Sequence, residues 1–351
     1  MKRKLGYIKS LCFLICLMTF HTIAAGQNPM DLFKSDIDTS YIRTFPNALT
    51  LKGFVNGKIL YLDIEDQKDD YELNYVPNGN NSLGFGFNYK WLGFSLGFKM
   101  VDENDKSIYG ETGYFDFQTN FILRKGFINV YFQEYTGFYL ENSAAMIQDW
   151  PSTGEYLIRP DIGLFSSGID YTHVVNPEKF SYIAAFSQTE VQRKSAGSLI
   201  LGGSVNYHRV SADSSFIPEN LIYEDAFDDN QVKGVRGITT NARFGYAHTL
   251  VALERFFISL SLDAGIGYVY STFSELDGTR KHNFQVNPNA SFKMAAGYNH
   301  NKWYFGLTAA SFYHQNKTTG IENVMRIGYG FVNFVLAKRF MLKKEIWLPK
   351  L

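Results

Sequence analysis

Three polar side chains alternate along one segment of the sequence in an order that could support hydrolysis. Ser204, Asn206 and His208 are two residues apart, so on a β-strand all three point to the same face. A serine activated by a histidine, which a third polar group orients, is typical of hydrolases that form a covalent intermediate. Residues at this spacing on one strand are about 7 Å apart, beyond direct hydrogen-bond distance. We therefore favour a polar wall, with an outer-membrane lipid hydrolase as the alternative.

The sequence between Gln188 and Ser198 is the most polar connection between apolar segments. Arg193, with Gln192 and Ser195 beside it, would suit a constriction that folds into a lumen, because rings of charged side chains set pore selectivity. The alternative, which composition alone favours, is a solvated loop between two strands.

Isolated charges also lie on the polar faces of otherwise apolar segments. Opposite charges would pair across a narrow lumen, whereas in a wider lumen they would line water and tune selectivity. Because their signs nearly balance, a neutral or closed barrel is favoured over a strongly ion-selective pore. The residues that we predict to face a lumen are Asp116, Gln118, Asn120, Gln192, Arg193, Ser195, Ser198, Ser204, Asn206, His208, Arg243, Asp263, Lys293 and Arg326.

The chain offers little for metal or cofactor chemistry. The acidic runs 63–70 and 224–229 could bind calcium, but neither has the ligand order or the glycine of an EF-hand. No histidine pair has ligand spacing, and no phosphate-binding glycine loop opens a helix. The 34 basic residues balance the 34 acidic ones without forming a basic stripe. We predict no metal, no cofactor, no nucleic-acid partner and no enzymatic activity.

The segments that carry these residues have a two-residue period. From Leu83 to Tyr89, and again from Ile258 to Tyr270, large apolar residues alternate with Gly, Ser, Asn or Asp. Each such segment is predicted to be a strand with one apolar and one polar face. Aromatic residues make up 17% of the chain and cluster towards segment ends, as in the girdles at membrane interfaces. The predicted strands lie near 83–90, 91–100, 112–123, 127–139, 157–173, 179–188, 197–210, 237–248, 256–272, 284–299, 302–315 and 323–340.

Two all-β folds are compatible with this alternation. Strands of about ten residues match the length that crosses the hydrocarbon layer of a membrane at a tilt. A secreted soluble β-sandwich would carry more Lys, Glu and Thr on its outer faces, whereas Gly, Ser and Asn dominate the polar faces here. Small side chains suit the inner wall of a narrow barrel. We predict an antiparallel transmembrane β-barrel of about twelve strands, with ten to fourteen as the range, and the sandwich as the alternative.

The N-terminus has the order of an export signal. Basic residues precede a short apolar core, Leu11 to Phe20, which the small residues Ala24-Ala25-Gly26 follow. We expect residues 1–26 to be a cleaved signal peptide, which would remove both cysteines. Residues 27–80 are predicted to be an N-terminal segment that is partly strand, residues 81–340 the barrel, and residues 341–351 a C-terminal tail.

The turn lengths leave one question about the strand count. Counted from Leu83, the short turns of the first half fall on the side where a bacterial barrel has its long loops. Either a further strand near Lys58 to Ile64 precedes the first one, or a strand is hidden between residues 211 and 237.

Six short sequences carry a resemblance to a known family. They are Tyr75-Val76-Pro77-Asn78 leading into Leu83-Gly84, Gly137-Phe138-Tyr139-Leu140, Arg159-Pro160-Asp161, Lys179-Phe180-Ser181-Tyr182, Gln192-Arg193-Lys194-Ser195-Ala196-Gly197-Ser198 and Phe216-Ile217-Pro218. Together they resemble a group of exported Bacteroidota proteins that is defined only as a domain of unknown function and regarded as outer-membrane barrels. The resemblance would extend from about Tyr41 to Phe340. It implies the outer membrane of a Gram-negative bacterium and a barrel fold, but no activity.

The expected role follows from these points. Phe340 resembles the terminal aromatic residue that barrel-assembly machinery reads, so that machinery and outer-membrane lipids are the expected partners. We predict a non-enzymatic barrel that is either a small pore for polar solutes or a plugged scaffold or receptor with a protein partner.

Overall fold

The structure is a computed structural model that describes residues 36–66, 68, 71–79, 81–100, 105–150, 154–223, 227, 231–317 and 323–344. The predicted signal peptide, most of the acidic run 224–229 and part of the predicted C-terminal tail lie outside these residues.

Fifteen strands and three very short helices form the described part of the chain. Within that part, no helix has the length and apolar character needed to span a bilayer. The strands are β1 (Ile42–Thr44), β2 (Ala48–Asp66), β3 (Glu72–Val76), β4 (Asn81–Tyr89), β5 (Leu92–Lys99), β6 (Gly113–Leu123), β7 (Gly126–Leu140), β8 (Leu157–Val174), β9 (Glu190–Gln192), β10 (Ala196–Ser211), β11 (Val232–Ala252), β12 (Phe256–Glu275), β13 (Arg280–Asn299), β14 (Trp303–Lys317) and β15 (Asn323–Met341), and the helices are α1 (Lys106–Tyr109), α2 (Ser143–Met146) and α3 (Tyr182–Phe186).

Twelve of the described strands close into one antiparallel barrel. Its order around the ring is β2, β4, β5, β6, β7, β8, β10, β11, β12, β13, β14 and β15. The ring closes where β15 pairs with β2 along their whole length, from Met341 opposite Ala48 to Asn323 opposite Asp66. A closed ring leaves no unpaired strand edge, which is the condition for a β-structure in lipid. The predicted all-β, antiparallel barrel of about twelve strands is confirmed.

The twelve strands differ from the predicted set in two places. β2 comes from the N-terminal segment and is the first wall strand, so the extra strand that the turn lengths require precedes β4. Residues 179–188, predicted to be a strand, contain α3 instead. Ser181 begins that helix, since its Oγ accepts a hydrogen bond of 3.1 Å from the Ala184 N–H. One strand gained and one lost leave the count unchanged.

The two ends of the barrel have different loops. At the end termed the inner end, β2 begins, β15 ends, and the connections 90–91, 124–125, 253–255 and 300–302 have only two or three residues. At the opposite, outer end, the connections include 100–112, 141–156 and 212–231. Short turns on one side and long loops on the other are typical of bacterial outer-membrane barrels.

The wall becomes narrower towards the outer end. β4, β5 and β6 have 9, 8 and 11 residues and stop short of the outer end. Beyond them, β3 pairs directly with both β2 and β7. Thr112 closes this junction, because its Oγ1 accepts from the Asn78 N–H at 2.8 Å and donates to the Gly137 carbonyl at 2.6 Å. The inner half of the ring therefore has twelve strands and the outer half ten, which makes the outer half narrower.

The faces of the wall change character along the barrel. Around its middle, large apolar side chains point outwards, among them Phe85, Leu262 and Phe284, which are more than half exposed, while the inner face is polar. Near the outer end the pattern reverses: Leu62 and Ile64 of β2 point inwards and are buried. The inward side chains of one strand are thus polar around the middle of the barrel and apolar near its outer end.

Candidate functional site

The barrel encloses a chamber of about 250 Å³ between its two ends, termed the lumenal chamber. Amide side chains are the commonest polar groups on its wall, and several aromatic rings lie between them. The polar lining residues include Asn56, Gln118, Asn120, Asn129, Gln133, Asn206 and Asn333, the aromatic ones include Phe54, Phe127, Tyr131, Tyr182, Phe186, Tyr329 and Phe331, and the charged ones are Lys52, Asp116, Asp170, Arg243 and Lys293.

A set of packed apolar side chains, termed the outer cluster, fills the lumen above this chamber. Wall strands on opposite sides of the ring contribute to it, for example Leu62 of β2 and Val210 of β10. The loops add Met146 and Ile147 from one connection and Phe216 from another, and all three are at least 95% buried. The Tyr75 hydroxyl donates a hydrogen bond of 2.6 Å to the Phe216 carbonyl and so holds that loop inside. Opposite walls thus meet through these side chains across the lumen.

The connection between β8 and β10, residues 175–195, folds into the inner end of the barrel and is termed the inner plug. It contains α3 and β9, and β9 pairs with β1 from the N-terminal side of the chain. Phe180, Ile183 and Val191 of the plug are buried. Tyr182 and Phe186 form part of the floor of the lumenal chamber. The sequence left a constriction and a solvated loop open for residues 188–198, and the structure places residues 188–192 inside the barrel end.

The wall holds the inner plug mainly through hydrogen bonds to its backbone carbonyls. Arg339 of β15 is 97% buried and donates to the Gln188 carbonyl from both Nε and Nη2, at 3.0 and 2.6 Å. Asn299 Nδ2 donates to the carbonyls of Ala184 and Glu190 at 3.1 and 2.9 Å. Further bonds reach the plug from other strands, from Asn88 Nδ2 to the Ser187 carbonyl and from the Tyr304 hydroxyl to the Ala185 carbonyl.

One carboxylate of the plug is also anchored by charge. Glu190 Oε1 forms an ion pair of 2.7 Å with Arg124, in the turn between β6 and β7, and both side chains are at least 90% buried. Its other oxygen accepts a hydrogen bond of 2.5 Å from the Ser181 hydroxyl. Removing one partner of such a buried pair is strongly destabilising, because it leaves the other charge buried and uncompensated. The pair therefore fixes the plug to the barrel wall.

Arg243 is the centre of an ionic group on the chamber wall. It pairs with Asp170 of the β8 strand and lies 3.2 Å from Asp263 Oδ1. The Ser291 hydroxyl donates a hydrogen bond of 2.7 Å to Asp263 Oδ2. The structure therefore brings together the predicted residues Arg243 and Asp263. Lys293 lines the same chamber and lies with its Nζ 5.7 Å from the centre of the Tyr182 ring.

A second ionic group lies near the junction of β3 with the wall. Lys58 Nζ forms a buried ion pair with Asp116 and also donates to the Tyr135 hydroxyl at 3.0 Å. Gln133 Nε2 donates to Asp116 Oδ1 at 3.3 Å and to the Tyr329 hydroxyl at 3.1 Å. Gln118 and Asn120, predicted together with Asp116, line the same chamber.

The polar row on β10 forms hydrogen bonds along its own strand and to the neighbouring strands. Ser204 Oγ accepts from Asn206 Nδ2 at 3.0 Å and from Asn241 Nδ2 at 2.8 Å. His208 does not approach Ser204; its Nδ1 lies 2.8 Å from Ser166 Oγ on the neighbouring strand. All three predicted residues line the chamber, but they do not form the arrangement of a nucleophilic serine, its base and an orienting group.

Four other predicted residues lie at or near the inner end, away from the chamber. Gln192 is buried and links parts of the plug to one another: its side chain accepts from the Ser181 N–H and donates to the Lys179 and Lys194 carbonyls. Ser198 accepts from the Asn176 N–H. Arg193 and Ser195 do not face a lumen: Arg193 pairs with Glu254 at 3.0 Å, and the exposed Ser195 accepts from the Val251 N–H. The end of β11 and the turn that follows it hold both at the rim.

The prediction for Arg326 was wrong. Its neighbours Met325 and Ile327 point inwards into the outer cluster, so Arg326 points outwards, where it pairs with Glu65. The reason is the reversal of faces near the outer end, where the polar residues of a strand are the outward ones. Arg326 also lies 3.8 Å from Glu72, and the Asn74 amide donates to Asp63 Oδ1. These contacts use Asp63 and Glu65, two of the described carboxylates of the acidic run 63–70.

Several chamber residues escaped the sequence analysis. Lys52 and Lys58 lie on β2, in a segment whose alternation was not used, although both occupy even positions opposite the outward Leu51, Val55 and Ile59. Asp170 and Gln133 lie on predicted strands, at positions that share a face with Ser166 and Asn129. Among the described residues, no three His, Asp or Glu side chains are grouped so that they could hold a metal ion.

The closed ring, its apolar outer belt and its loop asymmetry define the class of outer-membrane β-barrel proteins. Within that class, residues 36–340 match a family described as a domain of unknown function, DUF4421, and the chain belongs to that family. The sequence has no significant match among the curated proteins.

Solved structures that are similar in fold share little sequence with the chain. The outer-membrane protease OmpT of Escherichia coli has 10% identity and a TM-score of 0.41, and the alignment covers 84% of this chain and 97% of that one. The toluene transporter TodX of Pseudomonas putida has 7% identity and a TM-score of 0.29, with 90% and 94% covered. A FadL homologue of Pseudomonas aeruginosa has 9% identity and a TM-score of 0.25, with 84% and 90% covered.

Proposed function

We propose that the protein is a closed outer-membrane barrel that serves as a scaffold or receptor rather than as an open pore. The observation that carries this proposal is the outer cluster, which joins opposite walls and two loops across the lumen. The inner plug is a second and independent block, anchored by Arg339 and Asn299. A barrel blocked twice is expected to offer no continuous water path for solutes.

The orientation and biogenesis are part of the same proposal. Residues 1–26 act as a cleaved signal peptide, and barrel-assembly machinery inserts the exported chain into the outer membrane. The inner end, with its short turns and both described chain ends, faces the periplasm, and the long outer loops face the medium. A scaffold or receptor would engage its protein partner through those outer loops.

The experiment is a conductance measurement on the refolded protein without residues 1–26 in a planar bilayer. Heat-modifiable mobility on a gel reports that the barrel has folded. We expect folded protein that gives no discrete openings. Openings in the unaltered protein would overturn the closed-barrel proposal and make it a pore.

Two deletions refine this measurement. One replaces residues 178–192 of the inner plug with a short Gly/Ser linker, and the other removes residues 213–220 from the loop that carries Phe216. Because each block is sufficient to close the lumen, each single deletion is expected to stay silent, whereas the combined deletion is expected to conduct. Conductance from the plug deletion alone would mean that the outer cluster does not seal.

A further inference from the structure

The lumenal chamber has an excess of one positive charge. Four cationic side chains line it or pair with lining residues, whereas only three carboxylates do so among the described residues. The cations are Lys52, Lys58, Arg243 and Lys293, and the carboxylates are Asp116, Asp170 and Asp263. A charge enclosed in a protein is costly unless a counter-charge or hydrogen-bond partners compensate it.

Lys52 is the cation without a partner. Lys58 pairs with Asp116, and Arg243 is shared between two carboxylates. Within the part of the chain that the structure describes, Lys52 makes no hydrogen bond and no ion pair, although it lines the chamber. Its ammonium group is therefore available to something inside the chamber.

The wall beside Lys52 is shaped to leave this ammonium group accessible. The side chain crosses Gly86 of β4, where an added Cβ would lie only 2.8 Å from Lys52 Cε and 2.8 Å from Ser95 Oγ. Phe54 lies in the same way against Gly84, again where a Cβ would clash. The glycines let both side chains lie flat against the wall, so the space in front of them stays open.

Amide groups on the same wall also have unused hydrogen-bonding capacity. Asn120 is 92% buried, and its Nδ2 has no hydrogen-bond partner among the described residues. Within the same part of the chain, Asn56, 94% buried, and Asn333 each have a side-chain oxygen without a partner. Buried polar atoms are rarely left unpaired, so unpaired donors and acceptors around one cavity point to a polar occupant.

We propose that the lumenal chamber is a binding site for a small hydroxylated anion, such as a sugar acid or a sugar phosphate. Its carboxylate or phosphate group pairs with Lys52, and its hydroxyls bond to the amides of Asn56, Asn120 and Asn333, because hydroxyls both donate and accept. The ring of Phe54 supplies an apolar surface for the carbon skeleton.

The volume limits the size of this anion. A space of 250 Å³ lies below the range of roughly 300–1,000 Å³ of drug-sized sites. A single monosaccharide derivative is the expected scale. This inference does not depend on whether the barrel conducts, because it concerns the chamber and not a path through it.

The test uses refolding, so that an anion can enter the chamber whether or not the folded barrel is closed. The protein without residues 1–26 is refolded from urea in gluconate, in glucose 6-phosphate, in uncharged glucose or in chloride alone. The readout is the temperature at which the folded, fast-migrating gel band is lost. We expect gluconate, glucose 6-phosphate or both to raise this temperature by about 5 °C over chloride, since ligand bound only to the folded state stabilises it. Glucose is expected to give no rise.

Variants assign the effect to Lys52. Lys52→Met should abolish the rise with either anion, whereas Lys52→Arg, which keeps the charge, should retain part of it. Lys302→Met, the same change in an inner turn, should behave as the unaltered protein. If Lys52→Met failed to refold, Lys52→Arg and the glucose control would still report whether charge matters.

The refolding conditions also distinguish a carboxylate ligand from a phosphate ligand, and they include the results that would overturn the proposal. A rise with gluconate alone identifies a carboxylate ligand, and a rise with glucose 6-phosphate alone identifies a phosphate ligand. An equal rise in Lys52→Met, or no rise with either anion at 50-fold molar excess and above, overturns the proposal. In that case the chamber holds water around an uncompensated ammonium group.

Discussion

The two ends of the lumen are filled by different kinds of contact. At the outer end, apolar side chains from opposite walls and two loops pack together, with Leu62, Leu73 and Leu140 fully buried. At the inner end, wall side chains such as Arg339 and Asn299 bond to the backbone of an inserted segment. The outer end of the lumen thus holds a small hydrophobic core, whereas the inner end holds a network of hydrogen bonds to the plug backbone.

Strand number explains much of this difference. Where β3 replaces β4, β5 and β6, the ring has ten strands, and its lumen is narrow enough for side chains and two loops to fill it. Where the ring has twelve strands, the lumen is wider, and a whole segment with its own helix is needed to fill it. The polar carbonyls of that segment must then be paired, because buried backbone groups are rarely left without partners.

The largest loss of stability is expected where the wall bonds to the inner plug. Arg339→Ala removes a buried guanidinium that bonds to the Gln188 carbonyl twice and to the carbonyls of Glu190 and His300. We expect a loss of about 4 kcal/mol in the stability of the plug, since the orphaned carbonyls stay buried. Trypsin cleavage within residues 175–195 should become faster by orders of magnitude, while the outer cluster stays protected.

The control for this change is the neighbouring residue. Lys338→Ala removes a cation that lies 4.7 Å from the centre of the Trp303 ring on the outer face of the wall. It should leave plug cleavage unchanged. Equal cleavage in both variants would mean that the plug is not held by Arg339.

The apolar closure is expected to respond next most strongly. Phe216→Ala should cost about 3 kcal/mol, because it leaves a cavity in the outer cluster, where Phe216 is 99% buried. Hydrogen exchange should rise in residues 212–222 and not in the inner plug. Phe216→Leu, which keeps most of the volume, should lose less than half as much, and an equal loss in both would contradict packing as the cause.

The chamber wall should show a smaller effect with a matched pair of serines. Ser291→Ala removes the hydrogen bond to Asp263 Oδ2 and should cost about 2 kcal/mol, as bonds to charged groups do. Ser261→Ala removes a buried hydroxyl that has no partner in the described part of the chain, and it should be nearly neutral. Urea unfolding in detergent measures both, and a neutral Ser291→Ala would remove Asp263 from the structural network.

The smallest effect is expected at the exposed rim of the inner end. The hydrogen bond from Arg193 to Glu254 lowers the pKa of that carboxyl below its ordinary value of 4.5. A carboxyl with a lowered pKa stabilises the fold above its ordinary value, and this contribution is lost as the pH falls through the lowered one. The thermal midpoint of the unaltered protein should therefore fall slightly more between pH 6 and pH 3 than that of Glu254→Gln. Parallel curves would show that the pair contributes nothing.

The sequence alone predicted eleven of the twelve wall strands. Alternation such as that from Ile258 to Tyr270 gives each strand a lipid face and a lumenal face, and this local property survives in the structure, with Leu260 and Leu262 exposed and Ser259 and Ser261 buried. The strand count of twelve was also right, although β2 replaced residues 179–188. The helix in that segment has only five residues, which is too short to show a helical period in the sequence.

The chamber residues were predictable only in part, for a similar reason. Asp116, Arg243 and Lys293 could be read from one strand at a time, because facing inwards is decided by alternation. The pairing of Arg243 with Asp170 and Asp263 joins β11 to β8 and β12, which no spacing within a strand can reveal.

The sequence by itself determined strands with one apolar and one polar face, because side-chain alternation and residue size act locally along each strand. Only the tertiary structure decided what the inside of the barrel is. Whether an inward residue meets water, a plug carbonyl or an apolar core depends on ring width and on which connections fold inwards, as Arg326 illustrates by facing out where Met325 and Ile327 face in. Those are contacts between residues far apart in the chain, and their energies exist only once the ring has closed.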